Sequence, residues 1–469
     1  MFTGSFTGPV LASRTEAKPT GCPGPQAARG ATHPSGGTLR IKKASALTAL
    51  IVAGSLAAAG CGSSSSNAGS KTSGSGTSAA ATGTTGSSTS GSGSSGSGTS
   101  GSGSSGGSAT LSATSFTNSF SAMANLKSLA AKGKGKIAVI LPDTTSSARY
   151  VEFDAPYLKQ AFEAAGLKPS QFIIQNAHGS DTTAETDAQA DITNGASVIA
   201  IDPEDPAGGL AVTKYANAHG VAVIDYDRLT LGSNAPYYVS FNNVEVGKLI
   251  GQGFVSCSAK WLGTKKPDVI VMRGAPTDNN ATLFAQGYDS VLKPYFSSGK
   301  YIDAANPPGT WTPSTALTEF QQAYTAHKGV NSAVIPNDEN GAPIISYLKT
   351  QGIKPDTFPT TGQDATLVGL QNIISGYQCG TVYKPIYMEA QATAALAMYL
   401  RAGEKPPSAL VNGTTEDTTL HKAIPSVLLP PEWVTPKNMQ STIIADKFVP
   451  ASQLCAGSYA ADCSKYGIK

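Results

Sequence analysis

The sequence has few of the residues on which metal, nucleophilic and nucleic-acid chemistry depend. Its 469 residues include five histidines and six cysteines, and none lies at a metal-ligand spacing such as CxxC, HExxH or a histidine pair one helical turn apart. Lysine and arginine total 34 against 31 acidic residues, a net charge of +3, and no strongly basic stretch is present. We therefore predict no metal site, no cofactor and no nucleic-acid partner.

The N-terminal region also lacks an apolar run of the ~20 residues that span a bilayer. Its apolar stretch, residues 44–59, follows Arg40, Lys42 and Lys43 and ends in small residues before Cys61. This pattern is typical of a secretory signal, with a short transmembrane anchor or a buried helix as the alternative. The junction resembles a bacterial lipoprotein signal, which implies export, lipidation of Cys61 and attachment to the outer face of the membrane. We interpret residues 1–60 as a signal region, in which residues 1–39 reflect a start codon assigned too early.

A low-complexity segment follows this signal. From Gly62 to about Ala109 the chain is almost only Ser, Gly, Thr and Ala. Such a composition has nothing to bury and cannot offset its ordering entropy. We predict a flexible, disordered tether over residues 61–130, and the Gly/Ser-rich part alone has a root-mean-square reach of roughly 40 Å.

Alternating apolar runs and helical patterns begin at about residue 136. The first run, Ile137 to Leu141, is continuous and bounded by Pro142, as expected for a buried parallel strand. A helical pattern follows at 157–165, and the alternation restarts after Tyr238. Strands that alternate with helices at this spacing predict an α/β fold of two doubly wound parallel-sheet lobes with a cleft between them.

Polar residues follow the predicted strands in both halves. The loops in question span 149–150, 225–228, 278–280, 337–340 and 363–364. The carboxyl ends of the strands should face the cleft, so these side chains should converge there. Each of these polar loops, taken alone, also has the composition of a common turn or helix cap. Together they supply the acceptors and donors that a polyol needs, and Trp311 could cover the C–H face of a ring.

Many ordered segments resemble the periplasmic sugar-binding proteins of ABC transporters, in particular the D-xylose-binding branch. The segments are 225–229, 239–247, 274–281, 292–295, 298–300, 337–338, 362–365 and 381–386. The resemblance implies two Rossmann-like lobes joined by a three-strand hinge that crosses near 239–241, 383–385 and 425–428. The implied N-terminal lobe is 131–240 plus 384–424, and the C-terminal lobe is 241–383 plus 425–469.

The same resemblance implies which residues contact the sugar. Position by position they are Arg149, Asp227, Arg228, Asp278, Asn280, Trp311, Asn337, Asp364 and Lys384. The segment Thr144 to Ala148 differs from the family pattern, and its spacing to the next helix differs by about one residue. The implied function is capture of a monosaccharide, D-xylose or glucose, galactose or arabinose, by a monomer that delivers it to an ABC transporter permease.

Two other functions are compatible with parts of the sequence, and a third is excluded by it. A receptor that presents bound sugar to a sensor kinase or chemoreceptor would have the same site. A glycoside-active enzyme could use Asp225 and Asp227 as paired carboxylates, but the sequence has no nucleophile elbow or phosphate loop. A sugar-responsive transcription regulator is excluded, because it needs a helix-turn-helix head where this chain has a signal and a tether.

Four cysteines lie in the predicted folded body. In an exported protein disulfides persist, and four cysteines allow three pairings. We favour Cys257 with Cys379 and Cys455 with Cys463, with free buried thiols as the alternative.

Overall fold

The computed structural model describes residues 111–469. The predicted signal region, Cys61 and the tether up to residue 110 lie outside the described residues. The strands are β1 (Lys136–Leu141), β2 (Phe172–Asn176), β3 (Ala196–Ile201), β4 (Ala222–Tyr226), β5 (Tyr237–Phe241), β6 (Asp268–Val271), β7 (Ile302–Ala305), β8 (Ser332–Val334), β9 (Thr381–Tyr383), β10 (Gly413–Asp417), β11 (Lys422–Leu429) and β12 (Glu432–Val434).

Helices alternate with these strands along most of the chain. They are α1 (Lys127–Lys132), α2 (Ala155–Ala164), α3 (Asp181–Thr193), α4 (Pro206–Ala218), α5 (Asn243–Trp261), α6 (Asn279–Ser297), α7 (Pro313–Ala326), α8 (Asp338–Thr350), α9 (Leu367–Ile374), α10 (Ile386–Arg401), α11 (Ala451–Leu454) and α12 (Ala460–Tyr466).

The first lobe is built on a seven-stranded sheet in the order β10-β11-β5-β4-β3-β1-β2, in which only the β10–β11 pair is antiparallel. Successive residues of β1 point to opposite faces: Ile137 and Val139 pack in the core that contains α2 and α10, whereas Ala138 and Ile140 pack against α3 and α4. A strand covered on both faces must be apolar at every position, which explains the uninterrupted run.

The second lobe has a parallel sheet in the order β7-β6-β8 and a small antiparallel pair, β12–β9. Residues 359–362 lie beside this sheet but do not form a regular strand. Their backbone runs beside β8, where Ala333 N donates to Pro359 O at 2.9 Å. The Thr361 side-chain hydroxyl makes the hydrogen bonds that a neighbouring strand's backbone would make. It accepts from Ile335 N and donates to Ile335 O.

The chain crosses between the lobes three times: after β5, after β9 and after β11. The segments 239–241 and 425–428 still pair with each other as the last part of β5 and β11, so the chain leaves the first lobe just after each of them. Residues 425–429 therefore belong to the first lobe rather than to the second.

The predicted end of the tether, residue 130, is also wrong. Residues 111–130 form short helical turns that bury apolar side chains, among them Phe116, Phe120 and Met123, in the core of the first lobe. The Gln391 side chain of α10 donates to Thr117 O at 2.8 Å. This segment folds because its regularly spaced apolar side chains can be buried, whereas the Ser/Gly stretch before it has no apolar side chains of this kind.

The cysteines of the described body lie in the two favoured pairs. Cys257 and Cys379 have Cα atoms 5.8 Å apart and join the end of α5 to the segment before β9. Cys455 and Cys463 have Cα atoms 5.7 Å apart and close a short loop in the tail. Within residues 111–469 no helix combines the length and apolar character needed to cross a membrane.

Candidate ligand-binding site

One cavity lies between the two sheets, at the carboxyl ends of their strands. Its volume is about 330 Å³ when its opening to solvent is included. All nine residues predicted from the sequence line it: Arg149, Asp227, Arg228, Asp278, Asn280, Trp311, Asn337, Asp364 and Lys384. Of the five other lining residues, Tyr150 and Gln363 belong to the polar loops expected to face the cleft, whereas Ser146, Ser147 and Phe284 were not predicted. Ser146 and Ser147 lie within three positions of Arg149, and Phe284 lies one helical turn after Asn280. This proximity along the chain is the signal that could have found them.

Arg149 is held in one orientation by three carboxylates. Its Nε and Nη2 donate to Asp154 at 2.9 and 2.7 Å, Nη1 donates to Asp227 at 2.9 Å, and Nη2 also donates to Glu389 at 2.5 Å. A guanidinium has five N–H donors. Among the described residues this arrangement leaves one Nη1 hydrogen without an acceptor, and it is available to a ligand in the cavity.

Asp227 and Asp364 both have left-handed backbone conformations, with φ of 57° and 90°. Residues other than glycine adopt this conformation at a cost of ~1–3 kcal/mol, and such strain concentrates at ligand-binding sites. The turn at Asp227 also directs its backbone carbonyl to the second lobe, where Asn280 Nδ2 donates to it at 2.8 Å. Strained backbone at two acids facing one cavity indicates a functional constraint.

Asp227 is ionised in spite of being buried. Burial opposes its ionisation, but Arg149, Lys384 and Arg228 outweigh this effect and lower its pKa below the ordinary value. The Tyr150 hydroxyl also donates to its Oδ2 at 3.1 Å. Asp227 thus offers a negatively charged acceptor to the cavity, and hydrogen bonds to a charged group are stronger than neutral ones.

Arg228 forms the other side of the first-lobe wall. Its Nη2 lies 3.3 Å from Ser146 Oγ and 3.2 Å from the Tyr150 hydroxyl, and Nε lies 3.8 Å from Asp278 Oδ2 of the second lobe. The ring of Tyr150 lies between two guanidinium groups, with centroid distances of 5.4 Å to Arg149 and 5.7 Å to Arg228. These contacts fix both arginines beside the cavity.

In the second lobe, Asp278 orients the aromatic side chain. Its Oδ1 caps α6 by accepting from Asn280 N at 2.9 Å, and its Oδ2 accepts from Trp311 Nε1, also at 2.9 Å. The indole rests on Gly274, where an added Cβ would lie 2.3 Å from ring atoms of Trp311. Burial raises the pKa of Asp278, partly offset by Arg228. The result is a fixed flat apolar wall on the second-lobe side of the cavity.

The remaining polar residues come from three segments, which follow β8, residues 359–362 and β9. Asn337 caps α8, and the Lys384 ammonium lies 2.9 Å from Asp364 Oδ1. Gln363 Oε1 is buried and accepts no hydrogen bond within the described residues. The cavity therefore presents cationic donors, carboxylate and amide acceptors and one aromatic face, which together suit an uncharged ring that carries several hydroxyl groups.

Glu339 connects the lobes beside the cavity without lining it. Its Oε1 accepts from Ala148 N at 3.1 Å and from Ser147 Oγ at 3.0 Å, both in the loop after β1. Burial and the neighbouring Asp364 and Asp338 raise the pKa of Glu339 to about 8. A protonated carboxyl still accepts these two hydrogen bonds, so the contact between the lobes does not require a charge.

Comparisons with known proteins agree with this geometry. A family model described as a periplasmic binding protein domain matches residues 137–405. The chain is 33% identical over 309 residues to the D-xylose-binding periplasmic protein of Escherichia coli (strain K12), which covers 64% of this chain and 86% of that protein. It is 30% identical over 340 residues to the multiple sugar-binding periplasmic receptor ChvE of Rhizobium radiobacter, covering 69% and 93% of the two chains.

A solved structure has the same architecture. A carbohydrate transporter solute binding protein from Chloroflexus aurantiacus, in complex with D-glucose, superposes with a TM-score of 0.60 at 26% identity, over 68% of this chain and 97% of that one. The matched family covers more than half of the sequence, and the two sheets converge on one polar cavity. The chain therefore belongs to the periplasmic binding protein family, as a type I periplasmic sugar-binding protein.

Proposed function

We propose that the protein captures one aldose, D-xylose or a close relative, in the cavity between the lobes and delivers it to an ABC transporter permease. The observation that carries the proposal is the convergence of Asp227, Asn280, Trp311 and Asp364, from four different loops and both lobes, on a space suited to one ring. The names of the relatives, which include a D-xylose-binding protein and a multiple sugar-binding receptor, support an aldose as the ligand.

We further propose that the protein acts outside the cytoplasm on a lipid anchor at Cys61. The support is the lipoprotein-like junction before that cysteine and the Ser/Gly-rich segment after it, which would carry the folded body away from the membrane surface. Radiolabelled fatty acid should be incorporated into the protein in cells, and Cys61→Ser should remove the label. A labelled Cys61→Ser protein would contradict the anchor.

A glycoside-active enzyme is less well supported. Its candidate carboxylate pair was Asp225 and Asp227, but both carboxylate oxygens of Asp225 accept hydrogen bonds from Thr230, at 3.1 and 2.8 Å, and Asp225 does not line the cavity. A receptor role beside a sensor kinase or chemoreceptor would use the same sugar site. The permease is the partner we propose, because the matched D-glucose complex is of a carbohydrate transporter protein.

Titration calorimetry tests the ligand. We expect D-xylose, D-glucose, D-galactose or L-arabinose to bind with one site per chain, and Asp227→Asn to weaken binding by at least tenfold because it removes a charged acceptor, ~1.5–3 kcal/mol. Asp303→Asn, an exposed residue of β7, is the control and should bind like wild type. Absence of heat with all four sugars would contradict the proposal.

A further inference from the structure

A second cavity adjoins the one described above, and nothing in the proposed function uses it. Its volume is about 1110 Å³ when its opening to solvent is included, compared with about 330 Å³ for the first cavity. Ser147, Arg149 and Asp364 line both cavities. Since Arg149 and Asp364 are two of the proposed sugar contacts, a ring in the first cavity would lie directly beside the second.

The second cavity has an aromatic floor made by both lobes. Phe153, in the turn before α2, stacks on Phe448 of the second-lobe tail with ring centroids 3.9 Å apart, and Tyr157 lies 6.1 Å from Phe153. Leu367, in the first turn of α9, extends the apolar wall. Phe153 and Phe448 each bury one face against the other, and the apolar surface that they and Tyr157 leave in the cavity can pack against C–H groups of a sugar ring.

The rim of the second cavity is polar and carries both signs of charge. Glu152, Lys447 and Gln453 line it and are exposed. Lys447 has a left-handed backbone with φ of 58°, immediately before the buried Phe448. Such strain persists only where the surrounding structure imposes it, and it is common at ligand clamps. An acid, an amine and an amide at one rim supply donors and acceptors for hydroxyl groups.

From these observations we infer that the second cavity holds a second sugar ring, so that the protein also binds disaccharides with one ring in each cavity. This inference rests on the proposed function of the first cavity. The glycosidic bond would pass among the three shared residues, of which Arg149 is fixed by its carboxylates, Asp364 by Lys384, and Ser147 is the smallest. Because the walls come from both lobes, a second ring would also stabilise the closed arrangement.

Calorimetry with xylobiose, cellobiose and melibiose, beside D-xylose and D-glucose, tests the inference. We expect at least one disaccharide to bind one-to-one, within tenfold of the better monosaccharide. Leu367→Trp should fill the second cavity and weaken disaccharide binding by at least tenfold, with the monosaccharide affinity unchanged within twofold. Val368→Trp is the matched control, because Val368 is the next residue, is exposed and does not line the cavity.

Gln453→Trp, on the exposed side of α11, should block the second cavity in the same way. It provides an independent test if Leu367→Trp does not fold. The inference is overturned if monosaccharides bind and none of the disaccharides does, or if the two tryptophan variants weaken both classes of sugar equally. If disaccharides bind and monosaccharides do not, the second cavity still holds a ring, but the proposed capture of a monosaccharide fails. If neither class binds, both fail.

Discussion

Arg149 and Glu389, 240 positions apart in the sequence, are joined by a hydrogen bond of 2.5 Å from Nη2 to Oε2 in the buried wall of the sugar cavity. Asp154 and Asp227 contact the same guanidinium. Burial raises the pKa of Glu389 to about 8, and the neighbouring Asp227 and Asp154 add to the shift, although Arg149 and Lys384 oppose it. We conclude that Glu389 positions Arg149 largely as a neutral acid.

This protonation predicts a pH-dependent stability. The pKa of Glu389 rises from an ordinary 4.5 in the unfolded chain to about 8 in the fold, so its contribution is fully present below about pH 4.5 and is lost as the pH rises through 8. Glu389→Gln should therefore resemble wild type near pH 5 and become relatively more stable as the pH approaches 8, measured by thermal unfolding. A uniform loss of ~3–5 kcal/mol at every pH would instead indicate an ionised, buried salt bridge.

The contact between Glu339 and the loop after β1 predicts an effect on sugar affinity from outside the cavity. Glu339→Ala removes two hydrogen bonds between the lobes, each worth ~0.5–1.5 kcal/mol, so the closed arrangement should be weakened and the sugar affinity should fall by ~5–100-fold. Glu339→Gln keeps an acceptor oxygen and should bind within a few-fold of wild type. Glu163→Ala, on an exposed position of α2, is the control. Equal affinities for Glu339→Ala and wild type would rule out this role.

Trp311 and Gly274, against which its indole packs, should both be needed for sugar binding. Trp311→Ala removes the apolar face opposite the first lobe and should weaken sugar binding by ~10–100-fold, by the energy of burying an aromatic side chain. Gly274→Ala should weaken binding by at least tenfold as well, because its Cβ would meet the indole at 2.3 Å. Gly341→Ala, where the nearest atom is 3.9 Å away, is the matched control. Wild-type affinity in Gly274→Ala would show that the indole position is unimportant.

The two cysteine pairs should contribute unequally to stability. Their separations are 122 and 8 residues, for which loop-closure entropy gives roughly 5 and 2.5 kcal/mol. Replacing Cys257 and Cys379 by alanine should lower the unfolding midpoint more than replacing Cys455 and Cys463, in denaturant titrations of the oxidised protein. An equal loss, or no loss on reduction of the wild type, would contradict these pairings.

The strand-rich parts of the fold and most of the site could be predicted from local sequence. Continuous apolar runs identified the buried parallel strands, and the polar residues directly after them, such as Asp227 and Asp278, had to face the cleft because parallel strands end at one edge of the sheet. Arg149 lies before a π-helical turn, Tyr150–Asp154, that leads into α2. This unusual turn accompanies the altered spacing between the first strand and its helix.

Other features depend on contacts that no local pattern reveals. Glu389 lies in a helix whose neighbouring residues are mostly small and apolar, and its role follows only from the approach of Arg149, at the end of the loop after β1. In the sequence, Glu339 is an ordinary acidic residue in the first turn of a helix. Its role is visible only in the fold, where Ala148 N of the other lobe donates to it. The order in residues 111–130 likewise arises from packing against α10 rather than from helix propensity.

A crystal structure of the protein grown with D-xylose is the sharpest test of sugar capture between the lobes. We expect a single ring between them, with its flat face on Trp311 and hydroxyl groups within hydrogen-bonding distance of Asp227, Asn280 and Asp364. A sugar bound at another surface, with this cavity empty, would contradict this expectation.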